Sequence, residues 1–316
     1  MGMWELVRQT PVVKLQRQLG RALRSVERGG WVLRGPVEGR ARLHTCSGWG
    51  AGAAILRCPT EQALQVPDAD LRVAVCERLG VPRCSDVCCA VRFRSGRVCG
   101  QMLRGGWHAH CCPGLAGCRT RSRHNPLSKE WAHLLTLAGR FAVVEQRDPM
   151  MGPNSRLDVV EFASAQGGPA AYDVSVVTPF RADGRFVQEC ARVPGLAAAR
   201  RHEEKLESQY PFRVPGSRLI PLVVETGGRW HPSVPRLVRG LAREFVGRTP
   251  GLPAWATGAV VSRWAARLSA LVIRGNAAAV RGVLPPWAVV PGGEGISSVL
   301  PHSTPEGDSA YELLVH

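Results

Sequence analysis

Two aspartates stand in unusual company. Asp158 lies in RLDVVEF and Asp173 in AYDVSVV, each flanked by apolar residues. Such a strand position normally packs a core, and an ionised carboxylate there is costly unless it is paired or holds a cation. The turn-rich ASAQGGPA joins the two segments, so a hairpin is expected, with the two carboxylates on adjacent strands. That is an oxygen-rich place for Mg²⁺ or Mn²⁺. A cation held there activates water and neutralises charge on a cleaved phosphodiester. The competing expectation is that either Asp pairs with Arg156 or another arginine.

Two further groups fit the same chemistry. Glu225 ends the strand VVETGG, where Gly-Gly opens a cleft. Lys205 lies on the helix between that strand and the hairpin, and phosphodiester cleavage needs a cation near the attacking water or the phosphate. A lone helical lysine is ordinarily a solvated face residue. This one is notable because Lys14 and Lys129 are the only other lysines. Glu130 and Glu145 read more simply as a helix-start and an edge-strand residue.

A second group of reactive side chains lies upstream. Seven of the 11 cysteines fall between Cys84 and Cys118, with His108 and His110 among them. In an intracellular chain this clustering reads as a metal site before a disulfide framework. From Val91 to His124 there are seven arginines and no acidic residue. With a formal net charge of +16, that points to a polyanionic partner, nucleic acid first. The abundance of Ala, Gly and Pro also fits a GC-rich coding sequence as a source of arginine.

The elements that must position these groups follow from periodicity. Residues 1–43 predict an amphipathic helix and a basic, Gly-rich turn region. DADLRVAVCERLG predicts a short helix capped by Asp68, and SKEWAHLLTLAGR a helix capped by Ser128 with Trp131, Leu134, Leu135 and Leu137 facing in. FAVVEQ, RLDVVEF and AYDVSVV predict strands, LAAARRHEEKLESQY a helix and SRLIPLVVET a buried strand. SVPRLVRGLAREFV and roughly 255–273 complete the set as helices. The order α-β-β-β-α-β-α argues for a mixed α/β sheet. No run approaches the roughly 20 apolar residues of a membrane span, and the N-terminus lacks a secretory pattern. The expectation is a soluble intracellular protein without a membrane partner, ending in a disordered tail.

RLDVV, YDVSVVTP, KLESQYP and LVVETGGRW, in that order, resemble the C-terminal endonuclease region of non-LTR retrotransposon polyproteins, a restriction-enzyme-like, PD-(D/E)xK-type nuclease. The resemblance extends upstream through RSRHNPL, the Cys/His segment, SGWGAGAAIL and LRVAVCERLGVP, and covers roughly residues 45–283. It implies an α/β fold with a restriction-endonuclease-like αβββαβ core, an N-terminal helical, Cys/His-rich region and a C-terminal helix. The domains expected are a helical linker region at 1–83, a basic zinc and nucleic-acid-binding segment at 84–125, the endonuclease at 126–284 and the tail at 285–316. It implies a nuclease that nicks target DNA in the nucleus to prime reverse transcription, by a reverse transcriptase lying upstream in the full-length element. The alternative is a non-catalytic, nucleic-acid-binding remnant of such a nuclease.

Carried over by position, Asp158 and Asp173 match the acidic residues of the first and second motifs and would bind Mg²⁺. Ser175 stands where the archetypal motif has Lys, and Lys205 resembles a lysine relocated to the following helix. It lies five residues before Tyr210, one more than the family pattern. On an α-helix that is about 100° of rotation, which would turn it away from the site. The family's Cys/His module is matched by Cys99, His108 and Cys112. The fourth Zn²⁺ ligand would come from Cys88, Cys89 or Cys84, with Cys88 taken as the candidate, since tetrahedral sites need four. Arg119, Arg121, Arg123 and His124 would contact DNA or element RNA.

Overall fold

A computed structural model describes residues 36–81, 87–147, 156–162, 169–181, 183–209 and 218–284. The expected N-terminal helix before residue 36, Cys84, the hairpin turn, Tyr210 and the expected tail lie outside the described residues.

The centre is a four-stranded mixed sheet of β1 (Ala142–Arg147), β2 (Arg156–Glu161), β3 (Ala170–Val177) and β4 (Arg218–Glu225), in that order across the sheet. The first two pairings are antiparallel, as the hairpin required, and β4 joins β3 in parallel. A parallel neighbour needs a crossover, and two helices provide it: α4 (Gly184–Cys190) and α5 (Leu196–Glu204). Of these, α4 had no counterpart in the sequence reading. Asp183 caps it by accepting from the Arg185 N–H at 2.9 Å.

Upstream are α1 (Val37–Thr45), α2 (Asp68–Leu79) and α3 (Asn125–Leu137); downstream are α6 (Ser233–Arg248) and α7 (Thr257–Val283). Neither expected cap holds. Pro67 occupies the cap position of α2, with Asp68 inside the helix. Ser128 lies within α3, its hydroxyl donating back to the His124 carbonyl at 3.1 Å. The helix starts three residues earlier than expected because Pro126 suits its first turn.

Strand alternation divides the core into two layers. Val159, Tyr172, Val174, Leu222 and Val224 face α3, α6 and α7, where Trp131, Leu241, Phe245 and Trp264 complete the largest cluster. Val160, Ala171 and Leu219 face the other way, joined by Leu157 and Leu206. Asp158 and Asp173 share the parity of this smaller cluster.

Helix α7 runs on past the sheet. Its distal half packs on α2 through Ala270 and Ile273. Ala277, Val280 and Val283 pack on the Cys/His segment. The segments read from composition therefore meet along one helix. No helix among the described residues is long and apolar enough to cross a membrane.

Candidate active site and metal centre

The β2–β3 ladder runs from Glu161↔Ala170 to Val159↔Tyr172. Continued by one residue it would set Asp158 opposite Asp173. Instead, the Asp158 Oδ2 accepts the Val174 N–H at 2.6 Å. A side chain thus takes the hydrogen bond that a strand carbonyl would otherwise receive. On the other side, Glu145 of β1 adopts φ 57°, and the register skips the Glu145–Asp158 pair. Left-handed backbone at a non-glycine residue is strained and marks a local departure from strand geometry.

The second oxygen of Asp158 lies 2.9 Å from His124 Nε2. His124 ends a π-helical turn, Thr120–His124, that runs directly into α3. Burial alone would lower the His124 pKa, but the hydrogen bond and charge of Asp158, with Asp173 adding, outweigh it and leave the pKa raised. On the far strand, the Lys205 ammonium donates to Asp173 Oδ1. Both side chains are almost fully buried. Burial pushes the lysine pKa down, and the charges of Asp173 and Asp158 only partly restore it. His124, Asp158, Asp173 and Lys205 therefore form one electrostatically coupled group.

Lys205 reaches Asp173 despite the extra residue. Lys205–Gln209 forms a π turn directly after α5. A π turn closes on i+5 where an α turn closes on i+4, so five residues take the angular place of four. The regular α-helix on which the 100° offset was expected is therefore not the local geometry after Lys205.

Glu225 does not join this group. It pairs in register with Val177, four residues along from the Asp173↔Pro221 pair, about 13 Å by strand rise. Its carboxylate accepts the Ala198 N–H at 3.2 Å, at the N-terminus of α5. Burial raises its pKa, against the lowering effect of the Thr45 hydroxyl and the Ala198 and Ala197 amides. Gly195 has no side chain to cap α5, and Glu225 supplies the missing acceptor from a distant strand.

The Cys/His segment folds into a β-hairpin, bridged at Cys88↔Met102 and Arg92↔Val98. Cys89, Cys99, His108 and Cys112 gather with all ligating atoms within 4.8 Å of one another. The Cys89–Cys112 and Cys99–Cys112 sulfurs lie 3.8 and 4.0 Å apart, and Cys99 Sγ lies 3.3 Å from His108 Nε2. A tetrahedral Zn²⁺ with bonds of about 2.3 Å to sulfur sets ligating sulfurs about 3.8 Å apart. The cluster can therefore bind a metal such as zinc. Cys88, the expected fourth ligand, is corrected to Cys89: alternation turns Cys88 outward against Met102 and Cys89 into the buried face. Without a cation, burial and the neighbouring Cys112 push the Cys89 thiol up to about 12. A bound metal would reverse that preference.

The arginines expected to contact nucleic acid separate. Arg121 is exposed. Arg119 is half-buried and donates to the Cys112 carbonyl at 2.5 Å, a local bond seven residues back along the chain that fixes the loop carrying this ligand. Arg123 is buried, donates to Asn276 Oδ1 at 3.1 Å, and has its pKa lowered to about 10, chiefly by burial. Its guanidinium packs inward against α7. His124 faces Asp158. Buried Glu161, held by Arg140 and the Tyr172 hydroxyl, was missed although its parity with Val159 already placed it inward.

No family model, curated protein or solved structure matches this chain.

Proposed function

We propose that the chain is a metal-dependent DNA endonuclease with a restriction-enzyme-like core, derived from the C-terminal region of a non-LTR retrotransposon polyprotein. In this reading it nicks chromosomal DNA in the nucleus, and a reverse transcriptase encoded upstream extends the freed 3′ end. The observation that carries it is Lys205, buried on Asp173 where β2 and β3 part company around Asp158. A buried lysine is expensive, and a phosphate-cleaving site is one setting that uses such a cation.

Asp158 and Asp173 are the residues that would hold Mg²⁺ or Mn²⁺, ions that favour carboxylate oxygen. When bound, the cation would supply Lewis acidity and an activated water. The protein's own groups do the remaining work. Val174 N–H and His124 fix the two oxygens of Asp158. Lys205 balances Asp173 and offers positive charge to a phosphate. Arg121 and the hairpin arginines Arg92, Arg94 and Arg97, all exposed, would hold DNA or element RNA by backbone contacts, which give affinity without sequence choice.

A second reading is a non-catalytic nucleic-acid-binding remnant. One observation favours it: among the described residues, the group of three or more ligating side chains at metal-binding separation is the Cys/His cluster, not the aspartates. The deciding experiment is nicking of supercoiled plasmid with Mg²⁺ or Mn²⁺. The endonuclease reading expects open circle from wild type, and none from Asp158→Ala or Asp173→Ala. Folded wild type that binds plasmid without cutting it establishes the remnant.

A further inference from the structure

The arginines of the two C-terminal helices differ in their partners. Those on α7 are engaged: Arg263 with Glu61, Arg267 with Glu130, Arg274 with the Ala63 carbonyl and Arg281 with Asp70. Those on α6 form no ion pair among the described residues, and Arg236 donates to the Pro232 carbonyl at the start of its own helix, at 3.3 Å. Every exposed residue of that helix is Arg or Gly: Arg236, Arg239, Arg243, Gly247 and Arg248. Arg248 donates to the Gly139 carbonyl at 3.2 Å, and the one acidic residue of the helix, Glu244, is held by Arg140.

Arg236, Arg239 and Arg243 follow at spacings of three and four, so they form one stripe. No carboxylate among the described residues forms an ion pair with any of them. Like charges at these spacings oppose the helix, and a surface helix serving solubility alone mixes both signs. Gly240 lies on the same stripe, where an added methyl would meet nothing within 4 Å. Packing therefore does not require this glycine, although glycine weakens a helix. It leaves the ridge low between the guanidinium groups.

We propose that this stripe on α6 is a docking surface for the phosphate backbone of duplex DNA. Three guanidinium groups along about 10 Å of helix axis span some three phosphates of one strand, and arginine binds phosphate bidentately. An embedded membrane contact fits poorly, because the apolar face of α6 is already buried through Val234, Val238, Leu241, Ala242, Phe245 and Val246. The stripe lies on the α6 side of the sheet, opposite the layer of Asp158, Asp173 and Lys205. It therefore holds duplex away from the candidate active site. The choice of DNA over other polyanions rests on the endonuclease reading.

The test is fluorescence anisotropy of a labelled 30-base-pair random duplex, with the full chain, across a NaCl series without divalent metal. Each lost phosphate contact lowers the log-log salt slope by about 0.9. Replacing Arg236, Arg239 and Arg243 together by Ala should thus flatten it by about 2.7 and weaken binding at least tenfold at 0.15 M salt. The triple Lys variant should keep most of the slope. A charge-matched control removing Arg181, Arg185 and Arg192 should change the slope by less than one contact. An unchanged slope in the triple Ala variant overturns the proposal, as does an equal fall in the control. Loss of binding to phosphatidylserine vesicles with duplex binding intact also overturns it, in favour of a membrane. A flattened slope in a chain that never nicks plasmid supports this surface and refutes only the nuclease.

Discussion

Lys205 and Asp173 are each almost wholly buried and each stabilise the other's charge. Breaking such a pair by removing one partner costs more than removing both, because an uncompensated charge remains in a poorly solvated site. Lys205→Met should therefore destabilise the fold by about 3 kcal/mol in urea denaturation. Lys205→Met with Asp173→Leu should recover part of that loss; a double variant less stable than the single would refute the pairing. His124 gives a pH signature. Its pKa is raised in the folded chain, so its bond with Asp158 stabilises fully below the unfolded value, about 6.5, and is lost as pH rises through the folded pKa. The Tm gap between wild type and His124→Ala should shrink from pH 6 to pH 8.5. A gap that widens would show that the imidazole contributes as a neutral group. Glu225→Ala should cost about 1 kcal/mol through lost capping, and leave any metal-dependent nicking in place once folded.

Two elements depart from the regular geometry that periodicity suggests, and both serve the same few residues. The π turn at Lys205–Gln209 presents Lys205 to Asp173, and that at Thr120–His124 presents His124 to Asp158. Neither was legible in the sequence, since an extra residue can be absorbed in a π turn or in a loop and the composition of the turn does not say which. The Cys/His hairpin carries a sharper test. Co²⁺ should produce thiolate charge-transfer absorption that persists in Cys88→Ser and disappears in Cys89→Ser. Retention in Cys89→Ser with loss in Cys88→Ser would restore Cys88 as the ligand. The expectation of Cys88 erred because sequence spacing does not say which residue of an adjacent pair faces inward.

At the scale of the molecule, α7 joins the sheet layer to the upstream region. Gly275 allows it: a methyl there would lie 2.7 Å from both Arg123 Cβ and the Ser122 carbonyl oxygen. That close approach seats the π turn whose last residue is His124. Gly275→Ala should destabilise the chain by roughly 2 kcal/mol through overpacking against backbone. It should also shift the His124 ring resonances in NMR spectra; unshifted resonances would show that the turn tolerates the displacement. Gly240→Ala on α6, where space is open, should instead be neutral or stabilising.

The sequence by itself determined the mixed α/β order, the β2–β3 hairpin, the two aspartates on its adjacent strands and a Cys/His segment able to hold a metal. Those features rest on period-two alternation, turn residues and clustered ligands, all of which are local. It also marked Lys205 and Glu225 as candidates, without showing that only Lys205 reaches the aspartates. Parallel pairing of β4 with β3 set Glu225 at the far end of the strand, and the π turn brought Lys205 in. Packing of α7 buried Arg123, and hairpin alternation chose Cys89 over Cys88. Each of these outcomes depends on register, rotation or burial between segments far apart in the chain, and such relations exist only once the chain has folded.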